Sequence, residues 1–308
     1  MLNNKAIVFA YHTVGVECLS ALLDNGFEIP LVITHEDSVN ENIWFKSVRD
    51  LCLDRKIKFI TPLDLSNQEI IETVKKIEPD YIFSFYYRNM IPEHILQIAK
   101  IASLNMHGSL LPKYRGRVPI NWAVLHGETK TGATLHIMEK KPDAGDIVNQ
   151  KSVPILPDET AFEVFQKVAD IAKITLLEVI PDLLKGEFPR RPNRLQEGSY
   201  FGGRKPEDGR VDWQKNAIEV YNLYRAVAPP YPGAFTEIAG KQYILSKAML
   251  ASPPFRQNNQ LLGLQVIDGR IYGFCGDGRA ILINELLSEG VEITPPNLQQ
   301  ILLQATKE

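Results

Sequence analysis

KAIVFAYHTVGVECLSALLDNGFEIPLVIT, residues 5–34, is the stretch from which the fold can be read. Residues 5–11 form a near-continuous apolar run, the pattern of a strand buried on both faces. From residue 14 the period changes. Val14, Cys18, Ala21 and Leu22 fall on one face of a helix over residues 14–25, and Gly26 follows as a stop. Residues 29–34 return to a strand whose start is weakened by Pro30. A strand, a helix and a strand in so short a span make a βαβ unit, whose strands run parallel.

The alternation continues. Helices are expected over 44–55 and 67–77, and strands over 58–61, 80–85 and 101–105. A short helix with Pro119 in its first turn, strands over 134–138 and 147–155, and a long helix from 158 to 184, kinked at Pro181, complete the pattern. This predicts an α/β fold: a Rossmann-like, mostly parallel sheet with helices on both faces. The first turn, Tyr11-His12-Thr13-Val14-Gly15, holds a single glycine, so a dinucleotide-binding reading is poor. Residues 186–210 change character, with Pro189, Pro192, Pro206 and many charges. The expected domains are therefore 1–188, a linker over 189–210, and 211–308. The last part reads as a helix (217–228), a Pro-Pro-Tyr-Pro-Gly turn and short strands at 234–238, 242–246, 264–267, 271–275 and 280–285. That pattern predicts a small OB-like antiparallel β-barrel.

Composition narrows the function. The 308 residues are 44% hydrophobic with a formal net charge of −3, which argues against a broad nucleic-acid-binding surface but leaves room for a local basic pocket. The three cysteines, Cys18, Cys52 and Cys275, are far apart, so neither a disulfide framework nor a zinc site is indicated. No N-terminal signal segment is seen, and no apolar run is long enough to span a bilayer, so no membrane insertion is expected and the cytoplasm is the expected compartment.

In parallel sheets, ligands bind beyond the carboxyl ends of the strands. Tyr86-Tyr87-Arg88-Asn89 and Asn105-Met106-His107 both fall at such ends. The second opens residues 103–146, SLNMHGSLLPKYRGRVPINWAVLHGETKTGATLHIMEKKPDAGD. An attack on a carbonyl by an amine needs a fixed donor for the oxyanion and a group that moves protons. Asn105 can be the donor, His107 can move protons, and Asp143 can orient the imidazole. The i, i+2 spacing of Asn105 and His107 puts them on one face of a strand. No nucleophile is required; Ser109 is near, but GxSxG is absent. The same residue types also serve as caps and turn residues, and Lys113-Tyr114-Arg115-Gly116-Arg117 reads equally as a solvated loop or an anion site. His12, His35, His94, His126 and His136 have no metal-ligand spacing and read as structural or surface; Trp122 and Trp213 read as core.

The ordered set Asn-x-His-Gly-Ser-Leu-Leu-Pro-Lys-Tyr-Arg-Gly, then Gly-Glu-Thr-x-Thr-Gly-x-Thr-Leu-His, then Asp-Ala-Gly-Asp-Ile resembles the folate-dependent formyltransferase family over nearly the whole chain. Its nearest likeness, in Val8–His12, Phe83–Arg88 and Leu104–Arg117, is to the formyltransferase domain of the bifunctional polymyxin-resistance proteins, which formylates UDP-4-amino-4-deoxy-L-arabinose in lipid A modification. The resemblance implies N10-formyltetrahydrofolate as cosubstrate, with no metal. It makes Asn105, His107 and Asp143 catalytic. It places Asn89, Met90, Ile91, Arg117, Glu139, Lys140, Lys141, Pro142 and Asp143 around the formyl-folate. Charge and position name Lys113, Arg115 and Arg204 for a diphosphate, with Tyr11 and Tyr231 as further nucleotide-sugar contacts.

The resemblance leaves other acceptors open. These are a different nucleotide-linked amino sugar, or methionyl-tRNA, against which the acidic segment His35–Asn42 and the weakly charged C-terminal part speak. A folate-binding formyl hydrolase and a non-catalytic nucleotide-sugar sensor are the rival classes. A nucleotide-sugar partner is expected, no nucleic acid is, and a homodimer is left open. The turn after His12 and the single arginine in Tyr200–Arg204 depart from the nearest relatives and bear on the sugar rather than on the chemistry. The sequence closes at Glu308, so the dehydrogenase that makes the amino sugar is expected on another polypeptide.

Overall fold

The computed structural model describes residues 4–39, 41–251 and 261–305. They divide into two compact units. The first takes in the chain up to Pro119, Lys130–Pro154 and Phe165–Gly202; the second takes in Ile120–Thr129, Ile155–Val164 and the chain from Gly203.

In order, the first part of the chain forms β1 (Lys5–Ala10), α1 (His12–Asp24), β2 (Glu28–Ile33), α2 (Val48–Asp54), β3 (Phe59–Ile60), α3 (Gln68–Ile77), β4 (Tyr81–Phe85), α4 (Glu93–Leu96) and β5 (Ala102–His107). Then come β6 (Arg115–Gly116), α5 (Pro119–Leu125), β7 (Lys130–Ile137), β8 (Ile147–Pro154), α6 (Ala161–Leu177), α7 (Ile180–Leu183) and β9 (Tyr200–Phe201). The main sheet runs β3-β2-β1-β4-β5-β7-β8. Its first five strands pair in parallel and the last two antiparallel, so the sheet is mostly parallel, as the sequence predicts. The apolar runs of β1 and β4 are buried because both faces are covered. Ile7, Phe9, Leu31, Ile33 and Ile82 pack with Ile71 and Val74 of α3 and with Ile95 of α4 in one core. Ala10 pairs with Phe85, and Phe85 with Met106, so three strands end level, followed or closed by Tyr11, Tyr86 and His107.

Two helices differ from their sequence pattern. α2 begins at Val48 rather than Trp44, because Ser47 Oγ accepts the Asp50 amide hydrogen (3.1 Å) and caps it. Trp44 and Phe45 instead surround His12, whose ring stacks on Phe45 at 3.9 Å. The long helix stops at Leu177 and restarts as α7. Pro181, in the first turn of α7, has no N–H to bond the preceding turn.

β6 and β9, two residues each, pair in parallel and set Arg115–Gly116 beside Tyr200–Phe201. A Cβ on Gly116, at φ +98°, would strike the Phe201 carbonyl. Gly132 of β7 is equally confined: a Cβ there would meet the Lys151 carbonyl across the sheet and Leu110 above it. Gly132→Ala is therefore expected to destabilise the protein by about 3 kcal/mol, read as a lower urea midpoint at unchanged slope.

The rest of the chain forms α8 (Ala217–Val227), β10 (Ala234–Ile238), β11 (Lys241–Leu250), β12 (Gly263–Ile267), β13 (Arg270–Phe274), β14 (Ala280–Ser288), β15 (Val291–Glu292) and α9 (Pro295–Ala305). Its sheet is antiparallel in the order β10-β11-β14-β13-β12, with β15 beside β14. α9 touches both edge strands, β10 and β12, so the sheet curls as a small half-barrel. α8 starts at a reciprocal capping box of Asn216 and Glu219 and packs on β10, β11 and β14.

Candidate active site

β5 carries Asn105 and His107 on one face, and its pairing with β7 decides what they meet. The register opposes Asn105 to His136 and His107 to Thr134. Directly opposed residues of an antiparallel pair share a face, so His136 joins the two. The turn between β7 and β8 then brings in Asp143, whose backbone is left-handed at φ +49°. Asn193 Nδ2 donates to the Asp143 carbonyl (3.0 Å) and the Gly116 amide donates to its Oδ2 (2.8 Å). Held in this way, Asp143 Oδ1 lies 3.4 Å from Asn105 Nδ2, 3.5 Å from His107 Nδ1 and 3.4 Å from His136 Nε2. The three residues named from the sequence thus converge within the first unit.

The loop between β5 and β6 is fixed over them. Thr134 Oγ1 donates to the Ser109 carbonyl (2.6 Å), Gln150 Nε2 donates to the Leu111 carbonyl (2.9 Å), and the Tyr114 amide donates to Ser199 Oγ (2.9 Å). This fixes the Tyr114 carbonyl 2.7 Å from His107 Nε2. A carbonyl can only accept, so Nε2 carries a hydrogen and Nδ1 is the nitrogen turned to Asp143. Both imidazoles are buried, His107 at 6% and His136 at 1% exposure. Burial by itself would raise the Asp143 carboxyl. Its contacts with His107 and with the Gly116 amide oppose this, and Asp143 is held well below the ordinary carboxylate range. Asp143 is therefore an anion facing two imidazoles and an amide.

The sequence places His136 in the structural or surface group; it is buried, and it stands within the cluster. Its signal lay in strand register, which no spacing along the chain reveals. Asn193, which fixes Asp143 from 50 positions away, had no local signal at all.

The remaining predicted residues fall in several places. Asn89 and Met90 are exposed after β4, while Ile91 is buried in the core against which Met138, at the start of the Asp143 turn, also packs. Arg117, Glu139, Lys140 and Lys141 are exposed and Pro142 is half-buried. Tyr11 is buried; its hydroxyl donates to Asp37 (2.6 Å) and Arg88 lies over its ring at 4.5 Å. Lys113 is exposed. Arg115 is 8% exposed, and its Nε and Nη1 have no hydrogen-bond partner among the described residues. Arg204 and Tyr231 belong to the second unit. Arg204 lies 4.8 Å over the Trp122 ring, so Trp122 is a half-buried platform rather than core, and Tyr231 is bonded to Asn121. Burial and the nearby Arg88 charge push His12 down to about 3 and His35 to about 4, so both rings stay neutral. Among the described residues no group of His, Cys, Asp and Glu is arranged to hold a metal ion, and no helix is long and apolar enough to cross a membrane.

A family model described as formyl transferase matches residues 4–180, and one described as formyl transferase, C-terminal domain, matches residues 204–298. Three solved structures are similar. The N-formyltransferase of Helicobacter canadensis, solved with folinic acid and dTDP-3-aminofucose, shares 21% identity at a TM-score of 0.69, over 92% of this chain and 99% of that one. WlaRD, a sugar 3N-formyl transferase solved in the presence of dTDP and 5-N-formyl-THF, shares 21% at a TM-score of 0.73, over 94% and 100%. A 4-N formyltransferase of Francisella tularensis shares 21% at a TM-score of 0.63, over 77% and 94%. At these identities the structural likeness is one of fold.

Proposed function

The chain belongs to the formyl transferase family and is a formyltransferase, and from that premise we propose that it moves the formyl group of N10-formyltetrahydrofolate to the amine of a nucleotide-linked amino sugar. The observation that carries the reading is the convergence of Asn105, His107 and Asp143, a set that needs no nucleophilic side chain. The amine nitrogen bonds to the formyl carbon and the carbonyl oxygen takes up negative charge. The bond to the donor nitrogen breaks, and the proton shed by the amine is returned to that nitrogen. An N–H of Asn105 is suited to the oxyanion and Nδ1 of His107 to the proton, while Asp143 holds the imidazole in place and steadies its charged form. The segments after β4 and between β7 and β8 carry exposed residues, and loops of this kind suit a pterin that needs directional hydrogen bonds.

Arg115 supports an acidic acceptor. A buried guanidinium with two unpartnered nitrogens calls for an anion, and phosphate oxygens fit its fork. Arg115→Gln is expected to raise the KM for the nucleotide sugar by about 10-fold or more, with a smaller change in kcat; an unchanged KM would remove Arg115 from that role. Among amino sugars, UDP-4-amino-4-deoxy-L-arabinose is the acceptor favoured by the motif resemblance. Two of the similar structures are described with dTDP or a dTDP-sugar, which keeps the base and the position of the amine as variables for experiment. The test is a panel. Turnover with N10-formyltetrahydrofolate is measured against UDP- and dTDP-linked 3-amino and 4-amino sugars, initiator methionyl-tRNA and water. A kcat/KM highest for one of the sugars supports the proposal; a preference for the tRNA or for hydrolysis ends it.

A further inference from the structure

Asn105 can stabilise an oxyanion only if its amide nitrogen, and not its oxygen, is the end held toward the acceptors around it. Nothing within β5 decides this. We propose that His136 is the positioning residue that does, by accepting one Asn105 N–H at its Nε2 and leaving the other for the reacting oxygen. The inference rests on the formyl-transfer reading above.

The argument starts from strand register. Asn105 and His136 are directly opposed across β5 and β7, so their side chains leave the same face of the sheet side by side. The His136 ring is 1% exposed and has little freedom to turn. Its Nδ1 lies 2.8 Å from the carbonyl oxygen of Ile137, which can only accept, so Nδ1 carries the hydrogen. In the neutral ring Nε2 is then a bare acceptor, 3.1 Å from Asn105 Nδ2. The same amide nitrogen has a second acceptor, Asp143 Oδ1, at 3.4 Å. Two acceptors on one side hold the amide nitrogen-first. Turned over, its oxygen would face the carboxylate.

The distances also separate the two amide hydrogens. The one directed at His136 makes the shorter bond. The one directed at Asp143 spans a long contact and is the hydrogen an oxyanion can take at little loss. A proton on His136 Nε2 would undo the arrangement, because Nε2–H would confront the Asn105 N–H and favour the turned amide. Asp143 Oδ1 lies 3.4 Å from that nitrogen and 3.5 Å from His107 Nδ1, so both imidazoles meet the same carboxylate oxygen. His136 touches neither reactant in this account; it acts through Asn105.

The test uses His136→Phe, which fills the space without an acceptor, and His136→Gln, whose amide oxygen can reach the Nε2 position. Each is made in the wild-type protein and in Asn105→Ala. His136→Phe is expected to lower kcat about 10–100-fold with KM for both substrates nearly unchanged, and His136→Gln to restore most of the loss. In Asn105→Ala, His136→Phe is expected to add no further loss. Equal losses in the Phe and Gln variants, or a full additional loss in Asn105→Ala, would overturn the proposal, since packing alone would give either. A second readout is independent of turnover and of whether the variants fold: 15N NMR of histidine-labelled wild-type protein. A neutral Nδ1–H ring at His136 supports the proposal, and a doubly protonated ring at the pH of activity refutes it. Wild-type protein inactive on every acceptor would instead refute the formyl-transfer reading, while the 15N result would still decide the state of His136.

Discussion

Asn105→Ala is expected to lower kcat for formyl transfer by about 10²–10³-fold while leaving the thermal midpoint close to that of the wild type. Removing one preorganised oxyanion donor has an effect of that size because the donor acts on charge that exists only in the transition state. KM for both substrates should move little, since the amide meets no comparable charge in the ground state. The structure supports a clean substitution. Asn105 is only partly buried, and its Nδ2 is shared between His136 and the long Asp143 contact. Truncation removes a donor from two acceptors, one of which, Asp143, keeps its Gly116 hydrogen bond. Steady-state kinetics beside a melting curve decide the matter. A kcat within a few-fold of wild type would remove Asn105 from the oxyanion role.

Asp143→Asn is expected to lower kcat by about 10³-fold and also to change how stability responds to acid. His107 Nε2 donates to the Tyr114 carbonyl, so its remaining nitrogen faces Asp143. A neutral amide there would keep the shape, lose the charge that steadies an imidazolium, and present a donor as readily as an acceptor. Loss of the corresponding carboxylate in another acid–base set of this logic gives an effect of about 10⁴. The stability consequence follows from linkage. The folded-state carboxyl of Asp143 is depressed, so its contribution is fully present above the unfolded carboxyl value, near 3.9, and is lost as pH falls through the folded one. Between neutrality and about pH 4 the wild type should hold this contribution, and below that range it should lose it. The Asn variant, with no proton to take up at that position, should show a shallower acid slope. Urea midpoints measured from neutral to strongly acid pH read the difference. Identical slopes would mean that Asp143 is not paired as described.

Much of this was legible in the sequence, for identifiable reasons. β1 and β4 announce themselves because strands covered on both faces are apolar almost throughout, and the level ends of β1, β4 and β5 follow from parallel pairing. Asn105, His107 and Asp143 could be named because two share a strand face and all three sit in a long ordered motif. What stayed hidden depends on contacts the chain makes far from itself. The opposition of Asn105 and His136 is fixed by the register of β5 on β7. The hold of Asn193 on Asp143 and the short pairing of β6 with β9 have no periodicity to betray them. Trp44 and Phe45 imitate a helix start because their spacing suits one, yet their rings are drawn to His12 and the helix waits for the Ser47 cap. The roles given to Lys113, Arg204 and Tyr231 rest on residue type and position alone, whereas that of Arg115 gains from its burial and its unpartnered nitrogens.

The central claim is that one carbon passes directly from the folate to an amine on a nucleotide-linked sugar. The most direct measurement follows that carbon: N10-formyltetrahydrofolate labelled with 13C in the formyl group is turned over by the wild-type protein with the preferred amino sugar, and the products are read by NMR. The account expects the label in a formamide on the sugar nitrogen, formed one-for-one with tetrahydrofolate, and its rate to collapse in Asn105→Ala. Label appearing in free formate, or no label on any sugar amine while the folate is consumed, would contradict it.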